Sequence, residues 1–435
     1  MSTGCLNWWP RWLRRCKNGR VANGMSDIRN YAVVTAAYWC FTLTDGALRM
    51  LVLLHFHTLG YTPFQLATLF LLYEVMGMVT NLTGGWLGSR YGLRITLYTG
   101  LGLQAVALLA LSGLDTSWSS AFSVTYVLVI QGVSGVAKDL SKMSAKSAVK
   151  LMVPEDAHSA LFKWVALLTG SKNALKGTGF FIGGFLLGSV GFVYALWLMV
   201  GCLTLVFLAA VLLLPADIGK AKGKAMVSEI FSKSRAINLL SAARMFLFGA
   251  RDVWFVVGLP VFLYDILGWS FTFVGAFLAA WVIGYGFVQG TAPLILKSSR
   301  DGRTSEIQAA RIWIFILLAV TMIVAGAIHS GTSPPVTLIA GLGLFGFCFA
   351  VNSSVHSYLI LALSGVDKVT MSVGFYYSAN AAGRLAGTLL SGIAYQWSGL
   401  AGCLAISAAM LLVSGLFMVA LGAAQMPDSK KLSAE

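Results

Sequence analysis

The chain has 435 residues, of which 57% are hydrophobic and only 11% charged. An ordinary soluble domain carries about 25% charged residues, so a water-soluble enzyme, a collagen-like chain and a disordered chain are all excluded. The net charge of +15 comes from 31 Lys and Arg against 16 Asp and Glu. In a soluble protein it would suggest nucleic acid, but in a membrane protein it reflects bases retained on the cytoplasmic side, and no nucleic-acid partner is expected.

In chain order, residues 1–29 are a basic segment with no apolar core of a cleavable signal peptide before Met25. It is either an extension upstream of a natural start at Met25 or, through Trp8, Trp9 and Trp12, a segment lying on anionic lipid. Crossing the hydrocarbon core takes about 20 apolar residues. Twelve such stretches follow, at roughly 31–54, 64–87, 94–113, 120–140, 160–187, 191–214, 238–262, 271–295, 308–329, 336–362, 371–395 and 400–423. Residues 215–237 between the sixth and seventh are polar and carry Lys220, Lys222, Lys224, Lys233 and Arg235. The sequence therefore predicts an all-α membrane protein of 12 transmembrane helices in two six-helix bundles, 30–214 and 238–424, with a linker between them and a tail at 425–435.

Lys and Arg test this division. The N-terminal segment, the even-numbered connections (Arg90, Arg94; Lys142, Lys146, Lys150, Lys163; Lys297, Arg300, Arg303, Arg311; Lys368), the linker and Lys430 and Lys431 hold 24 of the 31, and the odd-numbered connections hold none. That partition places both termini and the linker in the cytoplasm of a bacterial-type inner membrane.

The halves repeat at an offset near 208 residues. Leu59-Gly60-Tyr61-Thr62 matches Leu267-Gly268-Trp269-Ser270, Gly179 and Gly184 match Gly387 and Gly392, and Lys176 falls on Arg384. Such a repeat implies two homologous bundles with the substrate path between them. Gly85 to Arg94 (GWLGSRYGLR) resembles the signature after the second helix of the major facilitator superfamily, with Ser89 where Asp is usual. Gly383 to Gly392 resembles the glycine motif of the fifth helix of antiporters, displaced here to its symmetry mate, and Gly179 to Gly184 resembles it with Phe180 in place of Pro.

A narrower resemblance lies in Thr44–Arg49, His55–His57, Lys138–Lys142, Val153–His158, Leu168–Gly177 and Phe248–Trp254. These blocks look like those of the ArsJ-type organoarsenical exporters. The resemblance implies export of 1-arseno-3-phosphoglycerate, arsenate resistance, and a functional partner, a glyceraldehyde-3-phosphate dehydrogenase that uses arsenate in place of phosphate. No cofactor is expected, and a monomer is expected.

Seven bases remain within the helices, Arg49, Lys138, Lys172, Lys176, Arg244, Arg251 and Arg384, against the acids Asp45, Glu74, Asp139 and Asp252. A charge at mid-bilayer costs about 2.5–3.5 kcal/mol on insertion scales, so it faces a cavity or a partner. The surplus of positive charge suits a polyanion and is useless to an apolar-drug transporter. Lys172 and Lys176 share one helix face, as do Arg244 and Arg251, and Lys176 and Arg384 are expected to form a clamp across the centre. Arg suits bidentate contact with phosphate or arsenate oxygens, Lys a point-charge contact.

Asp45 and Arg49, spaced i,i+4, either neutralise each other or gate. Arg251 and Asp252 point about 100° apart and are expected to pair with other helices rather than with each other. Glu74 is a proton carrier or a partner for Arg49 or another base. Gln131, His356, Tyr376 and Asn380, with Asn352 and Tyr358, would add neutral hydrogen bonds to substrate or only pack helices.

The six cysteines are scattered without CxxC, which argues against a disulfide framework, structural zinc or a trivalent arsenic cargo. Gly341 to Gly346 reads GxGxxG but lies inside an apolar helix, and no HExxH, GxSxG or P-loop is present. The expected function is outward transport of an organic polyanion by alternating access. A phosphate or sugar-phosphate exchanger is the alternative, and a membrane-embedded enzyme or receptor a more distant one.

Overall fold

The computed structural model describes residues 21–115, 117–152, 158–215, 234–295, 304–331, 334–363 and 369–425. They form helices α1 (Val21–Thr58), α2 (Pro63–Thr68), α3 (Leu71–Ser112), α4 (Ser120–Met152), α5 (His158–Ser189) and α6 (Phe192–Leu213) in the first half. The second half holds α7 (Arg235–Phe255), α8 (Gly258–Asp265), α9 (Phe271–Ile295), α10 (Thr304–His329), α11 (Pro334–Leu363) and α12 (Val369–Gln425). No strand occurs among the described residues.

Ten stretches of the described residues are long and apolar enough to cross a membrane. The last, Ser372–Gln425, has 54 residues. At 1.5 Å per residue that is roughly 80 Å, far beyond one crossing of about 30 Å, and it turns at Ser398–Gly399, where the helical dihedrals break. It therefore passes twice. With α5, 32 residues long, the passages number the twelve expected.

The boundaries differ where polar residues continue a helix past its apolar stretch. α4 runs on to Met152, well beyond 140, and the seventh passage is split into α7 and α8 at Val256–Val257. Most of the linker, the N-terminal segment, the tail and residues 153–157 of the narrower resemblance lie outside the described residues. So do the side chains of most of the Gly85–Arg94 motif.

The repeat is visible in the backbone. Gly60 (φ 83°) and Gly268 (φ 66°) turn the chain at equivalent points, and Gly191 (φ 79°) and Gly399 (φ 60°) do the same a second time. Positive φ is readily reached only by glycine, so both pairs mark turns that the two halves share.

The glycine pairs in the fifth and eleventh passages act alike. Gly179 lies against Gly46 of α1 and Gly387 against Gly249 of α7, each within its own half. Gly184 lies against Phe271 of α9 and Gly392 against Pro63 and Ala67 of α2, each across to the other half. A methyl at any of the four would run into backbone, so these helices approach as closely as small residues permit.

One further contact fixes the symmetry axis. His57 Nε2 and Asp265 Oδ1 are 2.8 Å apart and separated by 208 residues. Two mates of a twofold repeat can touch only near the axis, so it passes between them, and the halves meet at this end of the bundle. Outward-facing Trp197, Leu205, Leu212, Phe287 and Ile323 are exposed. Such a belt is tolerated where the surrounding solvent is lipid.

Candidate functional site

A cavity of about 240 Å³ lies between the halves. A water needs only about 10–15 Å³ of such space, so the cavity has room for a multi-atom solute. Its walls come from α1, α3, α4 and α5 on one side and α7, α9, α11 and α12 on the other. Among the described residues they carry eight cationic side chains, Arg49, Lys138, Lys142, Lys172, Lys176, Arg244, Arg251 and Arg384. Four acids face them, Asp45, Glu74, Asp139 and Asp252. All seven bases and four acids expected within the helices thus converge on one space.

The ion pairs sort these cations. Glu74 Oε1 lies 2.5 Å from Arg384 Nη2 and 3.4 Å from Arg49 Nη1. Arg384 Nε also donates to Asp252 Oδ2 at 3.3 Å. Asp139 accepts from Lys142 at 2.6 Å and from the Thr80 hydroxyl at 2.7 Å, with Lys138 4.0 Å away. Lys138 also lies 3.9 Å above the Tyr73 ring, a cation–π contact that helps hold an ammonium in a dry place.

Lys176 and Arg244 have no carboxylate within ion-pairing reach among the described residues. Lys176 stands 5.7 Å over the Phe180 ring. Arg244 is held by neutral groups, with Nε donating to Asn380 at 3.1 Å and Nη1 to the Ser353 carbonyl and hydroxyl at 3.0 and 3.1 Å. Arg244 and Arg251 flank one Phe248 ring, at 3.9 and 4.9 Å.

Several expectations need correction. Asp45 does not neutralise Arg49, because Tyr73 donates to both its oxygens at 2.7 and 3.0 Å while Arg49 turns to Glu74. Arg251 does pair with its neighbour, Nη2 lying 2.5 Å from Asp252 Oδ1. Their Cα–Cβ directions diverge, but the long guanidinium side chain wraps back to the carboxylate, which Arg384 shares from the other side. Glu74 meets two arginines, Arg49 of its own half and Arg384 of the other.

Gln131, His356 and Tyr376 are buried but do not line the cavity. Tyr376 stacks behind Arg244, 5.2 Å from it, and Tyr358 faces outward. Asn352, also buried, donates to the Ala310 carbonyl. Asn380 alone of these lines the space.

Lys142, counted by sequence among the cytoplasmic bases, lines the cavity although it follows the apolar part of its helix. Its i,i+3 spacing to Asp139 was the available signal. Sequence reasoning missed Asn173 and Gln289, which join the halves by a 3.1 Å hydrogen bond, and the wall formed by Trp281 and Tyr285. Cys40 and Cys202, far apart in sequence, bring their sulfurs to 3.4 Å between α1 and α6. None of the described cysteines lines the cavity, so the pair lies off the path between the halves. No group of three or more potential metal ligands occurs among the described residues.

A family model described as Major Facilitator Superfamily matches residues 34–330. Among solved structures, the fold is similar to a POT family transporter in complex with a thioalcohol-conjugated peptide, with TM-score 0.72 and 12% identity over 90% of this chain and 96% of that one. It is also similar to a D-xylose–proton symporter, with TM-score 0.67 and 13% identity over 91% and 97%. A bacterial homologue of the iron transporter ferroportin in its outward-facing state gives TM-score 0.64 and 14% identity over 91% and 99%. No curated protein is significantly similar in sequence. At such identities the structural likenesses speak for the fold alone.

Proposed function

Because the chain belongs to the Major Facilitator Superfamily and is a multi-pass membrane transporter, we propose that its cargo is a small organic polyanion carried outward across a bacterial-type inner membrane. The observation that carries this reading is the surplus of four cations in the cavity wall. Charges in a low-dielectric space repel one another and have lost their water, so an empty cavity of this kind is unfavourable and gains most from an anion charged at several points. Lys176 from one half and Arg244 from the other, neither paired with an acid among the described residues, are among the places for those charges. The substrate undergoes no chemistry. It is bound, and the two halves rock against each other around the bound substrate to expose it to the other side.

The resemblance to organoarsenical exporters names the cargo as 1-arseno-3-phosphoglycerate, with phosphate at one end and arsenate at the other. One clamp per half suits an anion charged at both ends. Cells expressing the transporter with a partner glyceraldehyde-3-phosphate dehydrogenase are expected to resist arsenate and to release arsenic, and the transporter alone to give little protection. Arsenic release measured by elemental mass spectrometry, with and without the dehydrogenase, checks this. Equal protection without the enzyme would reassign the cargo to inorganic arsenate, and release of phosphate esters without arsenic would make the protein a sugar-phosphate exchanger.

A further inference from the structure

The four acids of the cavity are not equivalent. Asp45 is bound by Tyr73, Asp139 by Lys142 of its own helix, and Asp252 by Arg251 and Arg384 of its own half. Glu74 differs. Among the described residues it is the cavity acid that pairs with an arginine of the opposite half, Arg384, while also meeting Arg49 of its own. One oxygen, Oε1, serves both guanidiniums, and Arg49 Nη2 is left buried with no hydrogen-bond partner. The equivalent position under the repeat is Val282, so the second half has no matching acid.

We propose that Glu74 is a tethered stand-in for the substrate. Its carboxylate occupies the point where a substrate oxyanion bridges Arg49 and Arg384, and it ties the halves together until the substrate displaces it. A tetrahedral phosphate or arsenate offers several oxygens to the same two forks and fills the donor that Glu74 leaves empty. A dianion therefore replaces the carboxylate with a gain, whereas a monocarboxylate, which only repeats what Glu74 provides, does not. Glu74 would thus set both a threshold of charge for entry and the contact that entry breaks. The proposal rests on the polyanion reading of the cavity.

The test is anion binding by the purified full-length protein in lipid nanodiscs, using 3-phosphoglycerate and lactate as probes and calorimetry as readout. Wild type is compared with Glu74→Gln, Glu74→Asp and Arg384→Gln. Glu74→Gln, nearly isosteric, is expected to bind 3-phosphoglycerate tighter by on the order of tenfold, a step of about 1.4 kcal/mol, and to bind lactate measurably where wild type does not. Glu74→Asp, which keeps the charge but shortens the reach, is expected to lie between the two and serves if Glu74→Gln misfolds. Arg384→Gln is expected to weaken binding. A carboxylate that served only the fold would not raise affinity on removal. Unchanged or weaker 3-phosphoglycerate binding in both Glu74 variants, with Arg384→Gln still impaired, would overturn the stand-in and leave the anion site intact. Absence of binding to wild type and every variant would overturn the polyanion reading, and the stand-in with it.

Discussion

Replacing Lys176 by Gln is expected to abolish transport while leaving the protein folded and inserted, and replacing Arg384 by Gln is expected to damage both. The difference follows from their partners. Lys176 has no acid within ion-pairing reach among the described residues, only the face of Phe180, so its loss strands no buried carboxylate. Removing a charged hydrogen-bond partner of a buried anion costs about 2–5 kcal/mol, or roughly 30- to 5000-fold in substrate affinity. Arg384 instead holds Glu74 and Asp252 together. Breaking a buried pair by removing one member costs about 3–5 kcal/mol of stability, so Arg384→Gln should lower the thermal midpoint in detergent as well as transport. Flux in sealed vesicles and a thermal melt of each variant check this. Normal flux in Lys176→Gln would remove that lysine from the anion site.

Transport is expected to follow membrane potential rather than the pH gradient. A substrate of net charge near −3 leaving an inside-negative cell gains about 2.3 kcal/mol per charge per 100 mV. That is roughly 7 kcal/mol at 100 mV, or about five decades of concentration ratio. Export can therefore run as a uniport. The one acid that sequence reasoning set aside as a proton carrier, Glu74, is engaged by two arginines. Glu74→Gln is expected to slow flux while its dependence on potential persists. Collapsing ΔpH and potential separately in inverted vesicles distinguishes the two, and flux that stops with ΔpH alone would require a proton carrier.

Much of this arrangement is legible in the residues themselves. Long apolar stretches can hardly avoid becoming membrane helices, and a 208-residue repeat can hardly avoid a twofold axis. The turn pairs Gly60 with Gly268 and Gly191 with Gly399 bear this out in their dihedrals. Charges inside apolar stretches must find a cavity, and all seven bases and four acids share one. The pairing among them was not legible. Spacing along one helix places Asp45 below Arg49, but whether a guanidinium turns to its own helix or to Glu74 on the next depends on where that helix packs. Tyr73, which claims Asp45 instead, has no signal in the spacing. Arg251 and Asp252 show the reverse error, since a helical wheel gives Cβ directions and not the reach of a long flexible side chain. Lys142 was counted with the cytoplasmic bases because apolar character ends before its helix does. The Cys40–Cys202 approach joins helices 162 positions apart, a distance that no local pattern bridges.

The central claim, that the cavity carries an organic polyanion outward, is tested most directly by making the cargo in place. Inverted vesicles bearing the transporter would be supplied on their outer, originally cytoplasmic, face with arsenate, glyceraldehyde-3-phosphate, NAD and the dehydrogenase, and arsenic trapped inside would be measured. The account predicts arsenic uptake only when all four are present, saturable and lost in Lys176→Gln. Equal uptake from arsenate alone, or no uptake with the complete mixture, would contradict it.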